Sequence, residues 1–115
     1  MVASEQNIRW TVRDKYGNPI YLTQERWLHI TEESNHPEMI DYEEYMKRTL
    51  TKGKRRQEPL NPRKYRYYHL FNDLPDDVNH IVVIVILGFD IGKSGETVAN
   101  NFVATAFFKH IRVRD

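Results

Sequence analysis

The segment KYRYYHLFNDLPDDVNHIVVIVILGF, residues 64–89, decides the fold of this chain. Residues 64–71 alternate between two sets of side chains, which is the period of a β-strand. One face carries Tyr65, Tyr67, His69 and Phe71, and the other carries Arg66, Tyr68 and Leu70. Residues 80–89 are almost wholly apolar and β-branched, which predicts the central strand of a sheet. The intervening residues 72–78, NDLPDDV, predict the turn between the two strands.

Further extended elements are predicted near the two ends of the chain. Residues 101–113 form the last strand, after a long hairpin loop of residues 90–100. Residues 8–13 alternate, and the turn sequence Tyr16-Gly17-Asn18-Pro19 separates them from an extended stretch at residues 20–22. This pattern predicts an N-terminal β-hairpin.

Two helices are predicted between this hairpin and the segment 64–89. The first runs from its N-cap Thr23 to about Ser34, with Trp27 and Ile30 on one side and His29 on the polar side. The second begins at Pro37 and ends near Leu50. Residues 51–63, TKGKRRQEPLNPR, hold one glycine and two prolines and predict a loop.

These elements predict an α+β fold, with two N-terminal helices packed on an antiparallel sheet of three or four strands and an N-terminal β-hairpin. We expect the helices to cover one face of the sheet and to leave the other partly open. Since 115 residues is a usual length for one domain, residues 1–115 are expected to form a single domain.

Composition excludes several classes of function. The chain has no cysteine, which rules out disulfides, thiolate metal sites and cysteine nucleophiles. It contains no GxSxG elbow, no glycine-rich phosphate loop and no dinucleotide fingerprint. The first ten residues lack an apolar run, and the longest apolar stretch, residues 81–87, is too short to span a bilayer. We therefore expect a cytoplasmic protein without a membrane partner.

The charges are distributed unevenly, although the net charge is only +1. Residues 47–66 contain nine basic residues and one acid, so this segment carries +8 and the rest of the chain carries −7. Such asymmetry is typical of a surface that binds a polyanion. The basic residues that we expect to contact RNA are Lys54, Arg55, Arg56, Arg63, Lys64 and Arg66. Tyrosines interleaved with them could stack on unpaired bases, and a solvated loop is the alternative.

Four residues are candidates for proton transfer or hydrogen bonding to a reacting group: His29, His36, Tyr68 and Thr105. Histidine is the side chain best suited to proton transfer near neutral pH. Each candidate has a plainer alternative, namely a solvent-exposed histidine, a helix end at His36, a core tyrosine and a strand threonine. His80 and His110 flank strands and are read as structural or solvated. No pair of histidines has metal-ligand spacing, so neither a metal nor another cofactor is predicted.

Several of these residues fit the pattern of a known group of nucleases. The W-x-H-I sequence at Trp27 to Ile30, the triplet His36-Pro37-Glu38, a tyrosine-bearing strand and the V-x-T-A-F sequence at Val103 to Phe107 occur in that order. Together they resemble the barnase–EndoU–colicin–RelE-like nuclease group, in its phage- and toxin-associated branch. The resemblance covers roughly residues 20 to 108.

The resemblance implies a metal-independent endoribonuclease of the toxin kind, in which the substrate's 2′-hydroxyl attacks the adjacent phosphate with general acid–base catalysis. His29 matches the helix histidine of the group, Thr105 matches the threonine of its last strand, and Tyr68 matches its strand aromatic loosely. His36 matches the H-P-E element, whose role could be structural. Such a toxin would need an antitoxin or immunity protein as partner. The long basic stretch of residues 53–65 departs from the group, where a shorter segment is usual.

Two other readings stay open. The chain could be an RNA-binding module without catalytic activity, which uses the basic segment and the tyrosines alone. It could also be a protein-interaction domain that pairs an edge strand with a partner or with a second copy, as a homodimer. The sequence alone does not separate cutting from binding.

Overall fold

The computed structural model describes residues 7–112 of the chain. The strands are β1 (Ile8–Arg13), β2 (Pro19–Thr23), β3 (Lys54–Glu58), β4 (Asn61–Leu70), β5 (His80–Ile86), β6 (Phe89–Ile91), β7 (Thr97–Ala99) and β8 (Phe102–Lys109). The α-helices are α1 (Gln24–Thr31) and α2 (Glu43–Lys52), and a 3-10 helix (Pro37–Asp41) lies between them. No helix within the described range is long and apolar enough to cross a membrane.

Six of the strands form one sheet in the order β1-β2-β8-β5-β4-β3, while β6 and β7 pair as a separate hairpin. Neighbours in the sheet are antiparallel except β2 and β8, which run parallel and pair at Tyr21 and Phe102. β5 lies inside the sheet and pairs along its whole length with β4 on one side and with β8 on the other. Its β-branched side chains suit this doubly flanked position.

The core lies between one face of the sheet and the helices. From β5 it takes Ile81, Val83 and Val85, and from the helical segments it takes Trp27, Ile30, Met39, Met46 and Leu50. The burial of Trp27 and Ile30 confirms the predicted inner side of α1. α2 packs on β4 and β5, so the side chains of these two strands that point away from α2 lie on the other face.

The predicted sheet of three or four antiparallel strands is wrong, because the sheet has six strands and is mixed. The N-terminal hairpin joins it through the parallel pair β2–β8. The predicted loop of residues 51–63 contributes a further strand, β3, at the opposite edge. Gly53 and Pro59 bound that strand rather than disrupt it, and Pro62 lies in the first residues of β4, next to the turn. Gly53 ends α2 where an added Cβ would lie 2.6 Å from the Tyr68 carbonyl oxygen, and Pro59 forms the turn into β4.

The helices are shorter than predicted. α1 ends at Thr31 rather than near Ser34, and the element predicted from Pro37 to Leu50 is divided into the 3-10 helix and α2. Tyr42 lies at the division, where its backbone N–H donates to the Met39 carbonyl oxygen. The predicted hairpin loop of residues 90–100 contains most of the β6–β7 hairpin.

A bulge in β8 changes which side chains share a face. Simple alternation predicts Thr105 on the same face as Val103 and Phe107. In the structure Val85 pairs with Val103 but Ile84 pairs with Thr105, so Ala104 is an extra residue. Because one inserted residue reverses the alternation, Val103 enters the core and Thr105 stays with Phe107 on the opposite face.

The carboxylate of Asp14 ties the two ends of the sheet together. It is buried at the β1–β2 turn, where its Oδ1 accepts from the backbone N–H groups of Tyr16 at 2.9 Å and Asn18 at 2.8 Å. Its Oδ2 accepts from the hydroxyl of Tyr67 on β4, a strand three places away from β2 in the sheet. The sheet must therefore curl until the turn reaches β4.

Arg55 completes this cluster on the core side. Its Nη1 donates to Tyr67 Oη at 3.3 Å and lies 3.7 Å from Asp14 Oδ2. Its guanidinium carbon lies 4.0 Å from the ring centre of Tyr16 and 4.7 Å from that of Tyr65. Burial opposes ionisation of Asp14, but hydrogen bonds from Tyr67 and the turn outweigh it and lower the pKa of the carboxyl from its usual 3.8.

We predict that Asp14→Asn lowers the free energy of unfolding at neutral pH by about 2–4 kcal/mol, because a buried charged acceptor with several donors is lost. Since the folded pKa of Asp14 lies below the unfolded value of 3.8, its contribution is complete above that pH and is lost as the pH falls below it. Urea denaturation at a series of pH values should show the difference shrinking below about pH 4. The exposed Asp77→Asn is the matched control, and an equal loss in both variants would contradict the assignment.

Candidate nucleic-acid interface

The sheet face turned away from α2, here called the open face, carries most of the predicted site residues. The strand register places the following side chains on it: Lys54, Arg56, Lys64, Arg66, Tyr68, His80, Val82, Ile84, Phe102, Thr105 and Phe107. Val82 and Ile84 are buried although neither belongs to the helix-covered core. Longer side chains on the flanking strands shield them, so the face has an apolar floor and a polar, partly exposed rim.

Two guanidinium groups stand directly opposite each other on this face. Arg56 of β3 pairs with Arg66 of β4, and like charges in this position repel each other. Glu58 compensates Arg66 in part, since its Oε1 lies 3.5 Å from Arg66 Nε. Arg56 is exposed and, within residues 7–112, forms no ion pair. With Lys54 and Lys64, the four cations and one carboxylate leave a formal charge of +3 on this edge.

Aromatic side chains lie beside these cations. Tyr68 pairs with Lys54 on one side and with Val82 on the other, and Val82 in turn pairs with Phe107. Tyr68 and Phe107 are half-buried, so part of each ring is accessible. Accessible rings beside cations on a sheet are suited to stack on unpaired bases while the cations neutralise phosphates.

Thr105, a predicted hydrogen-bonding residue, lies in the same row as the two arginines, where a row is a set of residues paired across neighbouring strands. It pairs with Ile84, which pairs with Arg66, so Thr105 and Arg66 are two strands apart, or about 10 Å. Tyr68 is on the next row of β4. The structure thus brings Thr105, Tyr68 and the cations onto one face.

His36 and His29 border the β8 side of the open face. The His36 ring centre is 5.7 Å from that of Phe107, and His36 Nδ1 is 3.5 Å from Glu38 Oε2. His29 lines a groove together with Phe102, and its Nδ1 is 3.3 Å from Glu32 Oε1. About half of the His29 side chain is exposed. Neither histidine lies in the rows that hold the cations.

Two of the predicted RNA contacts lie elsewhere. Arg55 points to the core side of the sheet, where it belongs to the Asp14 cluster. Arg63 lies on the same side of β4 as Tyr65 and Tyr67, which is the core side, and its guanidinium lies against Gly88. The continuous basic run of the sequence is therefore divided between two faces.

His80 is a buried histidine of the open face, for which the sequence alone predicts only a structural or solvated role. Its ring centre lies 6.3 Å from that of Tyr68. The backbone of Ile111 fixes the Asn79 amide, donating to Oδ1 and accepting from Nδ2, both at 2.9 Å. Asn79 Oδ1 therefore accepts from His80 Nδ1 at 2.8 Å, and His80 Nε2 keeps its lone pair. Only the strand register reveals that His80 shares a face with Tyr68.

Within residues 7–112, no three His, Asp or Glu side chains are grouped so that they could hold a metal ion. No protein-family model, curated protein or solved structure matches the chain.

We predict that His80 titrates below the usual histidine value of 6.5, because burial, and then the nearby imidazoles of His69 and His110, lower its pKa. An NMR titration of the imidazole signals, assigned with His80→Asn, measures this pKa. Nitrogen shifts should show a proton on Nδ1 and none on Nε2 at neutral pH. A pKa at or above 6.5, or a proton on Nε2, would show that the described environment of His80 is wrong.

Proposed function

We propose that this chain is an endoribonuclease that binds single-stranded RNA across the open face and cleaves it by attack of the 2′-hydroxyl on the adjacent phosphate. The observation that carries the proposal is the opposed pair Arg56 and Arg66. Glu58 compensates only Arg66, so the guanidinium groups of these cross-strand neighbours still repel each other, by about 1–3 kcal/mol at a protein surface. A phosphate between them turns that repulsion into two attractions.

The proposed reaction needs a base, an acid and cations. The 2′-oxygen forms a bond to phosphorus and gives its proton to the base, while the bond from phosphorus to the 5′-oxygen breaks and that oxygen takes a proton from the acid. The products are a 2′,3′-cyclic phosphate and a 5′-hydroxyl. Arg56 and Arg66 bind a phosphate of the same RNA strand and hold it on the open face.

One of the two histidines that border the open face, His29 or His36, transfers a proton in this proposal, because the two lie about 16 Å apart along β8 and cannot both reach one phosphate. His29 and His36 are both accessible and lie at opposite ends of the β8 segment that holds Thr105. Tyr68 and Thr105 offer hydroxyls to the phosphate from the middle of the face. His80 is buried beside Tyr68 on the same face and acts as a positioning residue for the Tyr68 ring.

The resemblance to the barnase–EndoU–colicin–RelE-like nuclease group supports the same reaction class. A nuclease of this kind in the cytoplasm would require a neutralising antitoxin or immunity protein. The alternative, an RNA-binding module that does not cut, uses the same cations and rings but none of the histidines. Binding and cleavage are therefore tested separately.

The binding test uses the double variant Arg56→Gln/Arg66→Gln and an RNA with 2′-methoxy groups, which cannot be cut. Loss of two phosphate contacts should lower the slope of log Kd against log salt by about 1.4 and weaken binding about 25-fold at about 0.1 M salt. Fluorescence anisotropy measures both quantities. The variant should be no less stable than the parent in urea, because the change removes a repulsion.

Lys15→Gln/Lys93→Gln is the matched control, since it removes two exposed cations that lie in turns and not on the strands of the open face. If the control and the test variant lose the same affinity and slope, the opposed arginines are not the phosphate site.

The cleavage test compares an RNA with the same RNA carrying a single 2′-methoxy group, both in EDTA. We expect a 2′,3′-cyclic phosphate from the first and no cut at the blocked linkage in the second. His29→Gln or His36→Gln should lower the rate by about 10²- to 10⁴-fold if that residue transfers the proton, with little change in binding.

His110→Gln, outside the open face, is the control and should cleave normally. Binding without cleavage of any RNA would leave the RNA-binding module as the function. Cleavage that continues at the blocked linkage would rule out 2′-hydroxyl attack.

A further inference from the structure

Three residues of β8 follow one another along the open face, namely Phe102, Thr105 and Phe107. They pair, in that order, with the successive outward positions of β5, which are Ile86, Ile84 and Val82. Because outward positions of a strand are about 7 Å apart, the three rows are evenly spaced along the sheet. The Thr105 hydroxyl therefore lies midway between two aromatic rings, in an arrangement that the bulge in β8 produces.

The Phe102 ring is accessible at one end of this arrangement. The ring centre of Tyr21 is 6.2 Å from that of Phe102, and the two planes are inclined by 43°, so the rings do not cover each other face to face. The Tyr21 hydroxyl donates to Asn100 Oδ1 at 2.6 Å, which fixes the direction of its ring. Both rings are half-buried and line a groove of about 950 Å³ between α1, β2 and β8, together with His29. The groove gives a planar group room to lie on Phe102.

The Phe107 ring is accessible at the other end. The His36 ring centre lies 5.7 Å from that of Phe107, with the planes inclined by 32°. Phe107 is half-buried, and 34% of the His36 side chain is exposed. Val82 and Ile84, both buried, form the apolar floor beside this ring. An accessible ring on an apolar floor is a surface on which an unpaired base stacks.

The hydroxyl of Thr105 is available between the two rings. The hydroxyls of Thr31 and Thr49 each donate to a carbonyl oxygen of their own helix at 2.8 Å. Among residues 7–112, Thr105 Oγ1 has no such partner, and no buried side-chain oxygen in that range lacks one, so this hydroxyl is accessible from the open face. A hydroxyl that no protein group engages can donate to a phosphate oxygen.

We infer that β8 carries two base subsites, one on the Phe102 ring and one on the Phe107 ring, and that the phosphate joining the two bases lies at the Thr105 hydroxyl. The ligand is an unpaired dinucleotide unit of RNA, with its bases splayed to either side of their common phosphate. Arg56 and Arg66, in the row of Thr105 but on β3 and β4, then hold a neighbouring phosphate of the strand. This inference rests on the proposed function, because it names the part of the RNA that β8 binds. Stacking tolerates every base, so we expect no base preference.

The test titrates the protein with a diadenosine dinucleotide that carries a 2′-methoxy group on its first nucleoside and so cannot be cut. The NMR signals of the Phe102 ring, the Phe107 ring and the Thr105 methyl group should shift together, with one common Kd. Adenosine alone should bind at least about 10-fold more weakly, because it makes one stack and no phosphate contact. The absence of any shift in the parent protein at millimolar dinucleotide would overturn the inference without recourse to a variant.

Three variants separate the two stacks from the phosphate contact. Phe102→Leu and Phe107→Leu keep an apolar side chain but remove the ring, so each should weaken dinucleotide binding about 10-fold. Phe89→Leu is their control, since Phe89 is an exposed ring of the β6–β7 hairpin outside the open face. Thr105→Val keeps the shape of the side chain and should weaken dinucleotide binding about 10-fold while adenosine binds as before. Thr97→Val, exposed on the same hairpin, is its control and should change neither.

The outcomes for the subsites and for the proposed function can be told apart. If the Phe102, Phe107 and Thr105 variants bind the dinucleotide as tightly as their controls, the subsites are wrong, while binding of longer RNA at Arg56 and Arg66 is unaffected by that result. An effect of only one of the two phenylalanine variants would also contradict a two-base unit. If the dinucleotide binds as expected but no longer RNA is bound or cut, the subsites stand and the proposed function fails.

Discussion

The shape of this sheet depends on one buried carboxylate. Asp14 belongs to the hairpin at one edge of the sheet, and the Tyr67 hydroxyl that it accepts belongs to β4 near the other edge. An unpaired buried carboxylate is costly, so Asp14 is tolerated only while Tyr67, Arg55 and the turn N–H groups reach it. This requirement holds the sheet curled around α2. It also explains why the pKa of Tyr67 is raised, since burial and the neighbouring carboxylate both disfavour a phenolate.

The same curl determines which side chains remain for function. Side chains on the inner face pack in the core or belong to the Asp14 cluster. Only the side chains on the outer face of each strand can therefore contact a ligand. The bulge at Ala104 is decisive in β8, because it buries Val103 while Thr105 and Phe107 stay on the open face. Without this extra residue, either the core would lose Val103 or Thr105 would turn away from Arg66. The bulge in β8 thus allows Val103 to pack in the core while Thr105 lies in the candidate site.

Features encoded within a few residues could be predicted from the sequence. The alternation of residues 64–71, the turn before Pro19, and the inner side of α1 at Trp27 and Ile30 are examples. The number of strands could not be predicted, because β3 looks polar and is bounded by Gly53 and Pro59, and because β2 joins the sheet by pairing with a strand about 80 residues away. His80 was equally hidden, since its proximity to Tyr68 follows only from the register.

Arg55 and Arg56 show why a basic run in a sequence is a poor guide to a binding surface. The two arginines are neighbours, yet the strand period sends Arg55 to Asp14 and leaves Arg56 opposite Arg66. Arg55 stabilises the fold, because its charge compensates a buried carboxylate and its guanidinium lies against two tyrosine rings. Arg56 does the reverse, since it adds repulsion and gains no acidic partner within residues 7–112. Folding alone therefore accounts for Arg55, whereas the Arg56 guanidinium remains available for the phosphate contact that we propose.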